Sequence, residues 1–444
     1  MQFKVWKTNW NKSCFWKEEE VVPNELDCMK QLNIHPDLTC QRIDGFGGAF
    51  TEASAYTYSL LTEKAKQEFL DSYFGEEGLK YNMGRTHMNS CDFSLGNYAC
   101  LEDPEDTAME SFSIERDKKY IIPLISQAQK KLNQPIQLLI SPWSPPAFMK
   151  TTGEMNFGGK LKAEYGNLWA KYFARFIKAY QEAGLNPTMI TVQNEPDSVQ
   201  TWDSCTYTGE EEREFVKKYL GPVLKEEGLE DIKVFIWDHN KESIYTRAKT
   251  ILRDEIAAQY VDGVAFHWYT GDHFEEVALV RDAYPDKLLY FTEGCVEYSR
   301  FAETDEIRKA EMYAHDMMGN FNAGMQAFID WNLLLDEMGG PNHVGNYCAA
   351  PIMSNESKNE IIKNLSYYYI GHFSRFVKPG AKRIASSRYT DKIEAAGFLN
   401  PDQQRVVVIL NKTEQDIPVS IFEYGKGQTV LVEARSIITV TYYE

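Results

Sequence analysis

Residues 188–196 read TMITVQNEP, a short apolar run that ends in an amide, a carboxylic acid and a proline. Before it, from Tyr165, the residues Leu168, Trp169, Tyr172, Phe173, Phe176, Ile177 and Tyr180 recur at helical spacing. Gly184 follows where a glycine ends a helix. The aromatic stripe is core by its period, not a ligand surface. An amphipathic helix leading into a buried strand with polar groups at its end is one unit of an alternating α/β fold.

Working outward, the same alternation recurs along most of the chain. Apolar runs at 43–49, 79–87, 136–143, 188–194, 232–238, 262–268, 287–293 and 325–331 have the character of strands buried on both faces. Helical segments separate them. One example places Ala65, Phe69, Leu70, Tyr73 and Phe74 on one face after Thr62, a suitable N-cap. Repeated strand–helix alternation requires a parallel sheet with helices outside, and eight units close as a (β/α)₈ TIM barrel. An open doubly wound sheet is the alternative.

Beyond about Gly371 the pattern changes. Runs at 405–410, 419–422, 428–432 and 436–442 are separated by turn residues with no helix between them, which predicts an antiparallel β-sandwich. Residues 1–40 are irregular, with strand-like pieces at 3–6 and 20–22 that would complete it. The expected division is 1–40 N-terminal sandwich strands, 41–370 barrel and 371–444 C-terminal sandwich.

Composition narrows the class of function. The chain has 444 residues, 43% hydrophobic and 25% charged, which is ordinary for a globular protein. A net charge of −18 is poorly suited to nucleic acid or anionic lipid. No run approaches a transmembrane span. The eight cysteines show no CxxC or zinc spacing, and the N-terminus lacks the pattern of a signal peptide. A cytoplasmic, reduced protein is expected, or a secreted one if further residues precede Met1. Whether the chain forms a homo-oligomer is left open.

In a barrel of this kind catalytic residues project from the C-terminal strand ends. Here those ends carry Asp92, Trp143, Asn194-Glu195-Pro196, Asp238-His239-Asn240, His267-Trp268-Tyr269, Glu293 and Trp331-Asn332. Strands four and seven face each other across the mouth, so Glu195 and Glu293 can converge. Two opposed carboxyl groups suffice for glycoside hydrolysis, one as proton donor and one attacking the anomeric carbon or directing water. Asn194 can hydrogen-bond the sugar 2-OH, Asp92 can accept from sugar hydroxyls and Trp143 can supply an apolar wall. Tyr269 can orient Glu293 and keep it ionised, His267 is a hydrogen-bonding orienter, and the charge of Glu293 would keep Glu195 protonated at rest. No cofactor or metal is called for: Gly45-Phe46-Gly47-Gly48-Ala49-Phe50 lacks the third glycine of a dinucleotide loop, and no HExxH or Walker loop occurs. A sugar-binding protein without catalysis is the non-enzymatic alternative.

Taken in order, these residues closely resemble the glucosylceramidase (acid β-glucosidase) family, glycoside hydrolase family 30. The resemblance runs from about Gln41 to the C-terminus. Its pieces include Gln41-Arg42-Ile43-Asp44-Gly45-Phe46-Gly47-Gly48-Ala49, Cys91-Asp92-Phe93-Ser94, Ser141-Pro142-Trp143 and Asn194-Glu195-Pro196. They continue with His267-Trp268-Tyr269, Glu293-Gly294-Cys295, Asp330-Trp331-Asn332-Leu333, Gly339-Gly340-Pro341-Asn342 and Gly371-His372-Phe373-Ser374. The resemblance implies a barrel joined to a β-sandwich built from both chain ends. It also implies hydrolysis with retention, with Glu195 as acid/base and Glu293 as nucleophile. Asp92, Trp143, Asn194, Trp331 and Asn346 then fall on positions that hold a terminal glucose. The expected substrate is a β-D-glucoside, whether oligosaccharide, alkyl glucoside or glycolipid; relatives acting on xylosides, fucosides and β-1,6-glucan keep those alternatives open. Charged residues in 296–305 and polar ones in 201–205 depart from the apolar loops of lipid-degrading members, which argues against ceramide as the leaving group.

Overall fold

A computed structural model describes residues 2–21, 29–355 and 359–444. Eight parallel strands close into a barrel: β1 Gly45–Ala49, β2 Met83–Met88, β3 Gln137–Pro142, β4 Pro187–Thr191, β5 Lys233–Asn240, β6 Gly263–His267, β7 Leu288–Glu293 and β8 Ala327–Asn332. Each expected run overlaps one of them, and the open-sheet alternative is excluded because β8 pairs with β1. Gly47 is required where β1 meets β2: a Cβ there would stand 2.4 Å from the Met83 carbonyl oxygen. The glycine-rich run thus serves strand packing.

Period-two alternation builds the barrel interior in layers. Met83, Leu139, Met189, Phe235, Ala265, Tyr290, Ala327 and Ile329 form one apolar cluster. Two residues further along their strands stand Arg85, Ser141, Thr191 and His267, all fully buried and all polar. The interior therefore changes from apolar to polar toward the C-terminal mouth. Helices cover the outside. Thr62 caps Glu63–Phe74 by accepting from the Ala65 N–H, and Gly166–Glu182 buries Trp169, Tyr172, Phe173, Phe176, Ile177 and Tyr180. Among the described residues no helix is long and apolar enough to cross a membrane.

Nine strands from both chain ends form a second sheet. Their hydrogen-bonded order is Cys14–Glu20, Lys4–Asn9, Ser436–Tyr442, Arg405–Asn411, Ile393–Leu399, Lys382–Arg388, Gln31–Arg42, Ile417–Glu423 and Lys426–Val432. Leu32, Ile34, Val407, Ile409, Val419, Val430, Ile438 and Val440 share its core. Two corrections apply. Gln31–Arg42 pairs in parallel with Ile417–Glu423, so the sandwich is not wholly antiparallel. Three strands lay outside the sequence expectation: Lys382–Arg388 carries few apolar residues, Ile393–Leu399 is rich in Ala and Gly, and Gln31–Arg42 contains Pro36. All three are weak by strand propensity and are held by their neighbours. Of the piece expected at 20–22, Val22 lies outside the described residues, and Glu20 ends Cys14–Glu20.

The helix Leu365–Ser374 joins barrel to sandwich. His372 on it is fully buried between Thr8 and Thr439, with its ring nitrogens 2.9 and 2.8 Å from their hydroxyls. Burial pulls this imidazole down to about 3, so it is neutral and structural.

Candidate active site

Three strand irregularities shape the barrel mouth. Against its neighbour, β5 gains one residue at Asp238, β7 one at Thr292 and β8 one at Trp331. A bulge of this kind re-aims the side chains beyond it. Asp238 at φ 50 and Glu195 at φ 47 occupy the left-handed region that non-glycine residues rarely adopt, and the Glu195 N–H donates to the Asp238 carbonyl at 3.0 Å. Strain of this sort persists only where surrounding contacts hold it, which marks the mouth as a candidate site.

One pocket opens there. Its lining includes Asp92, Trp143, Asn194, Glu195, Tyr269, Glu293, Trp331 and Asn346, eight of the nine residues expected at the site. The ninth, His267, is fully buried directly behind Glu195. Trp143 and Trp331 stack with ring centroids 5.3 Å apart at 24°, giving one wall of the pocket. Asn346 arrives on the loop after β8, and its amide donates to Asp92 Oδ2 at 3.1 Å. Residues the sequence reading did not assign complete the lining, among them Gln200, Trp202, His239, Cys295, Glu297 and Cys348.

Arg85 organises the floor. From full burial its Nη1 donates to Glu293 Oε2 at 2.6 Å, and its Nη2 to Asp238 Oδ2 and Asn194 Oδ1, each at 2.8 Å. Burial disfavours this cation, but Asp238 and Glu293 more than restore it. The Tyr269 hydroxyl donates to the other Glu293 oxygen at 2.9 Å. Arg85 went unassigned in the sequence, although a lone cation inside the buried run MGRTHM was its signal.

Glu195 has different company. His267 Nδ1 lies 3.3 Å and His239 Nδ1 3.6 Å from its Oε1, while Gln200 reaches Oε2 at 3.5 Å. His267 Nε2 in turn meets Asp238 Oδ1 at 3.0 Å. Burial alone would raise the Glu195 carboxyl; the two imidazoles outweigh it and hold the group well below the usual carboxylate range. For His267, burial works downward, but Glu293, Asp238 and Glu195 lift it to about 9. This runs against the expectation that the charge of Glu293 keeps Glu195 protonated at rest: the two imidazoles favour the ionised carboxylate, with His267 the more basic member of the pair. Burial raises Glu293, opposed by the charges of His267 and Arg85. Asp92 is raised to about 8 by burial and by Glu293.

Comparison with known proteins agrees with this architecture. Residues 43–377 match the Glycosyl hydrolase family 30 TIM-barrel domain, and 380–440 match the Glycosyl hydrolase family 30 beta sandwich domain. The chain belongs to glycosyl hydrolase family 30. It is a glycoside hydrolase. Lysosomal acid glucosylceramidase of Mus musculus is 35% identical over 89% of this chain and 80% of its own length. The crystal structure of SrfJ from Salmonella typhimurium superposes with a TM-score of 0.97 at 40% identity, covering all of both chains. The endo-beta1,6-glucanase BT3312 gives 0.90 at 29% identity, again over all of both chains.

Proposed function

We propose that this glycoside hydrolase cleaves β-D-glucosides with retention, Glu293 attacking the anomeric carbon and Glu195 serving as acid, then base. The observation that carries the reading is that Glu195 and Glu293 line the same pocket as Asp92, Asn194, Asn346 and the Trp143–Trp331 wall. In the first step Glu293 displaces the leaving oxygen, which takes a proton from Glu195, forming a glycosyl ester. In the second, Glu195 takes a proton from water as that water displaces Glu293. Arg85 and Tyr269 stabilise the Glu293 carboxylate before attack and as it departs. His267, which does not reach the pocket, is the proton reservoir behind Glu195. Asn194, held by Arg85, is positioned to bond the sugar 2-OH, a contact that strengthens in an oxocarbenium-like state.

The outer lining favours a polar leaving group. Ser198, Gln200, Asn240 and Glu297 line the pocket with two partly buried aromatics, Trp202 and Tyr269. Such groups suit hydroxyls better than alkyl chains, which favours a gluco-oligosaccharide, including β-1,6-linked glucan, over ceramide. The test is a panel of aryl β-glucoside, xyloside, fucoside and galactoside, with glucosylceramide and β-1,6-gluco-oligosaccharides. Preference for the glucoside and for the oligosaccharide supports the reading. Absence of glucoside hydrolysis, or a preference for glucosylceramide, contradicts it.

A further inference from the structure

The three groups around the Glu195 carboxylate have a second use. Glu195, His239 and His267 present ligand atoms that all lie within 4.8 Å of one another. In each histidine it is Nδ1 that faces Glu195, while Nε2 is engaged from behind: His267 Nε2 by Asp238 at 3.0 Å and His239 Nε2 by the Ser198 hydroxyl at 3.1 Å. Outer partners of this kind fix ring orientation and aim the inner nitrogen at the ion, as around zinc, with any proton on that nitrogen released on binding. The two contacts to Glu195 Oε1, 3.3 and 3.6 Å, are close to the separation between ligands of one tetrahedral zinc with bonds of about 2.0–2.1 Å. His239 Nδ1 is buried without a hydrogen-bond partner, and His239 is 6% exposed. Glu195 and His239 both line the pocket.

We propose that Glu195, His239 and His267 form a binding site for a divalent transition-metal ion of the zinc class. Occupancy ties up Glu195 and so blocks proton transfer at the sugar: the ion is a reversible inhibitor, not a cofactor. Imidazole and carboxylate donors suit Zn²⁺, Co²⁺ or Ni²⁺ and are poor for Mg²⁺ or Ca²⁺.

Co²⁺ titration of the full chain tests binding without reference to turnover, read by visible d–d absorption and by calorimetry with Zn²⁺. One saturable equivalent is expected, with Mg²⁺ silent. His239→Gln and Glu195→Gln, each checked for fold by circular dichroism, should weaken it by roughly 100-fold or more, and Ser198→Ala by about tenfold. Cys295 and Cys348 line the same pocket, so Cys295→Ser with Cys348→Ser is the control. Absence of saturable binding, or binding that survives both ligand substitutions and is lost in the cysteine control, overturns the site. Because binding is read optically, the site stands or falls independently of which sugar the enzyme takes.

Discussion

Arg85 Nη1 lies 2.6 Å from Glu293 Oε2, an ion pair in which the guanidinium is wholly buried and the carboxylate opens on the pocket. The same guanidinium pairs with Asp238 at 2.8 Å, so one cation balances two acids beneath the mouth.

Removing it leaves His267 as the remaining cation beside both acids. Arg85→Met should lower unfolding stability by about 3–5 kcal/mol, the usual cost of stranding a buried charge. Arg85→Lys keeps the charge but cannot reach Glu293, Asp238 and Asn194 together, so it should retain most stability and lose activity. Urea midpoints with initial rates separate the two effects; equal stability of Arg85→Met and the parent chain would refute the account of the floor.

The Glu195–His267 pair sets the alkaline limb. With His267 raised to about 9, activity that draws its proton from this histidine persists below that pH and falls as pH rises through it. In His267→Gln the proton rests on a carboxyl alone, and the limb should move to lower pH. Profiles of kcat/KM in the two proteins test this; an unmoved limb would show that the histidine plays no part in proton supply.

Asp92 makes a prediction about folding. Its carboxyl is raised to about 8 in the folded chain, against about 3.9 when unfolded. The native state therefore binds more protons across that interval, and stability contributed by Asp92 falls as pH rises from roughly 4 to 8. Asp92→Asn should flatten that slope, measured as melting temperature against pH.

Gly47 tests the barrel seam. An added methyl would meet the Met83 carbonyl at 2.4 Å, backbone that cannot rotate away. Gly47→Ala should cost about 1–3 kcal/mol by overpacking, whereas alanine at Gly184, with open space around it, meets only the strain of its φ of 80°. Denaturation midpoints compare them.

The barrel and the pair Glu195 and Glu293 were legible because strands buried on both faces form short apolar runs with abrupt polar ends. Their meeting in one pocket needed only the strand count. Arg85 was harder to assign: a cation inside a buried run is visible, but its partners sit 56 to 208 residues away. The bulges at Asp238, Thr292 and Trp331 are properties of register, which a single strand does not encode. Of the two imidazoles around Glu195, His267 was read as an orienter, while the role of His239, which follows the bulge at Asp238, went unassigned for the same reason. Lys382–Arg388 and Ile393–Leu399 escaped because tertiary pairing, rather than their own composition, makes them strands.

The account rests on Glu293 becoming covalently bonded to the sugar. Incubation with an activated 2-deoxy-2-fluoro-β-glucoside, followed by peptide mass spectrometry, measures this directly. One fluoroglucosyl group per chain on the peptide containing Glu293, with loss of turnover, is the predicted result. A label on another residue, or steady hydrolysis with no labelled peptide, would contradict it.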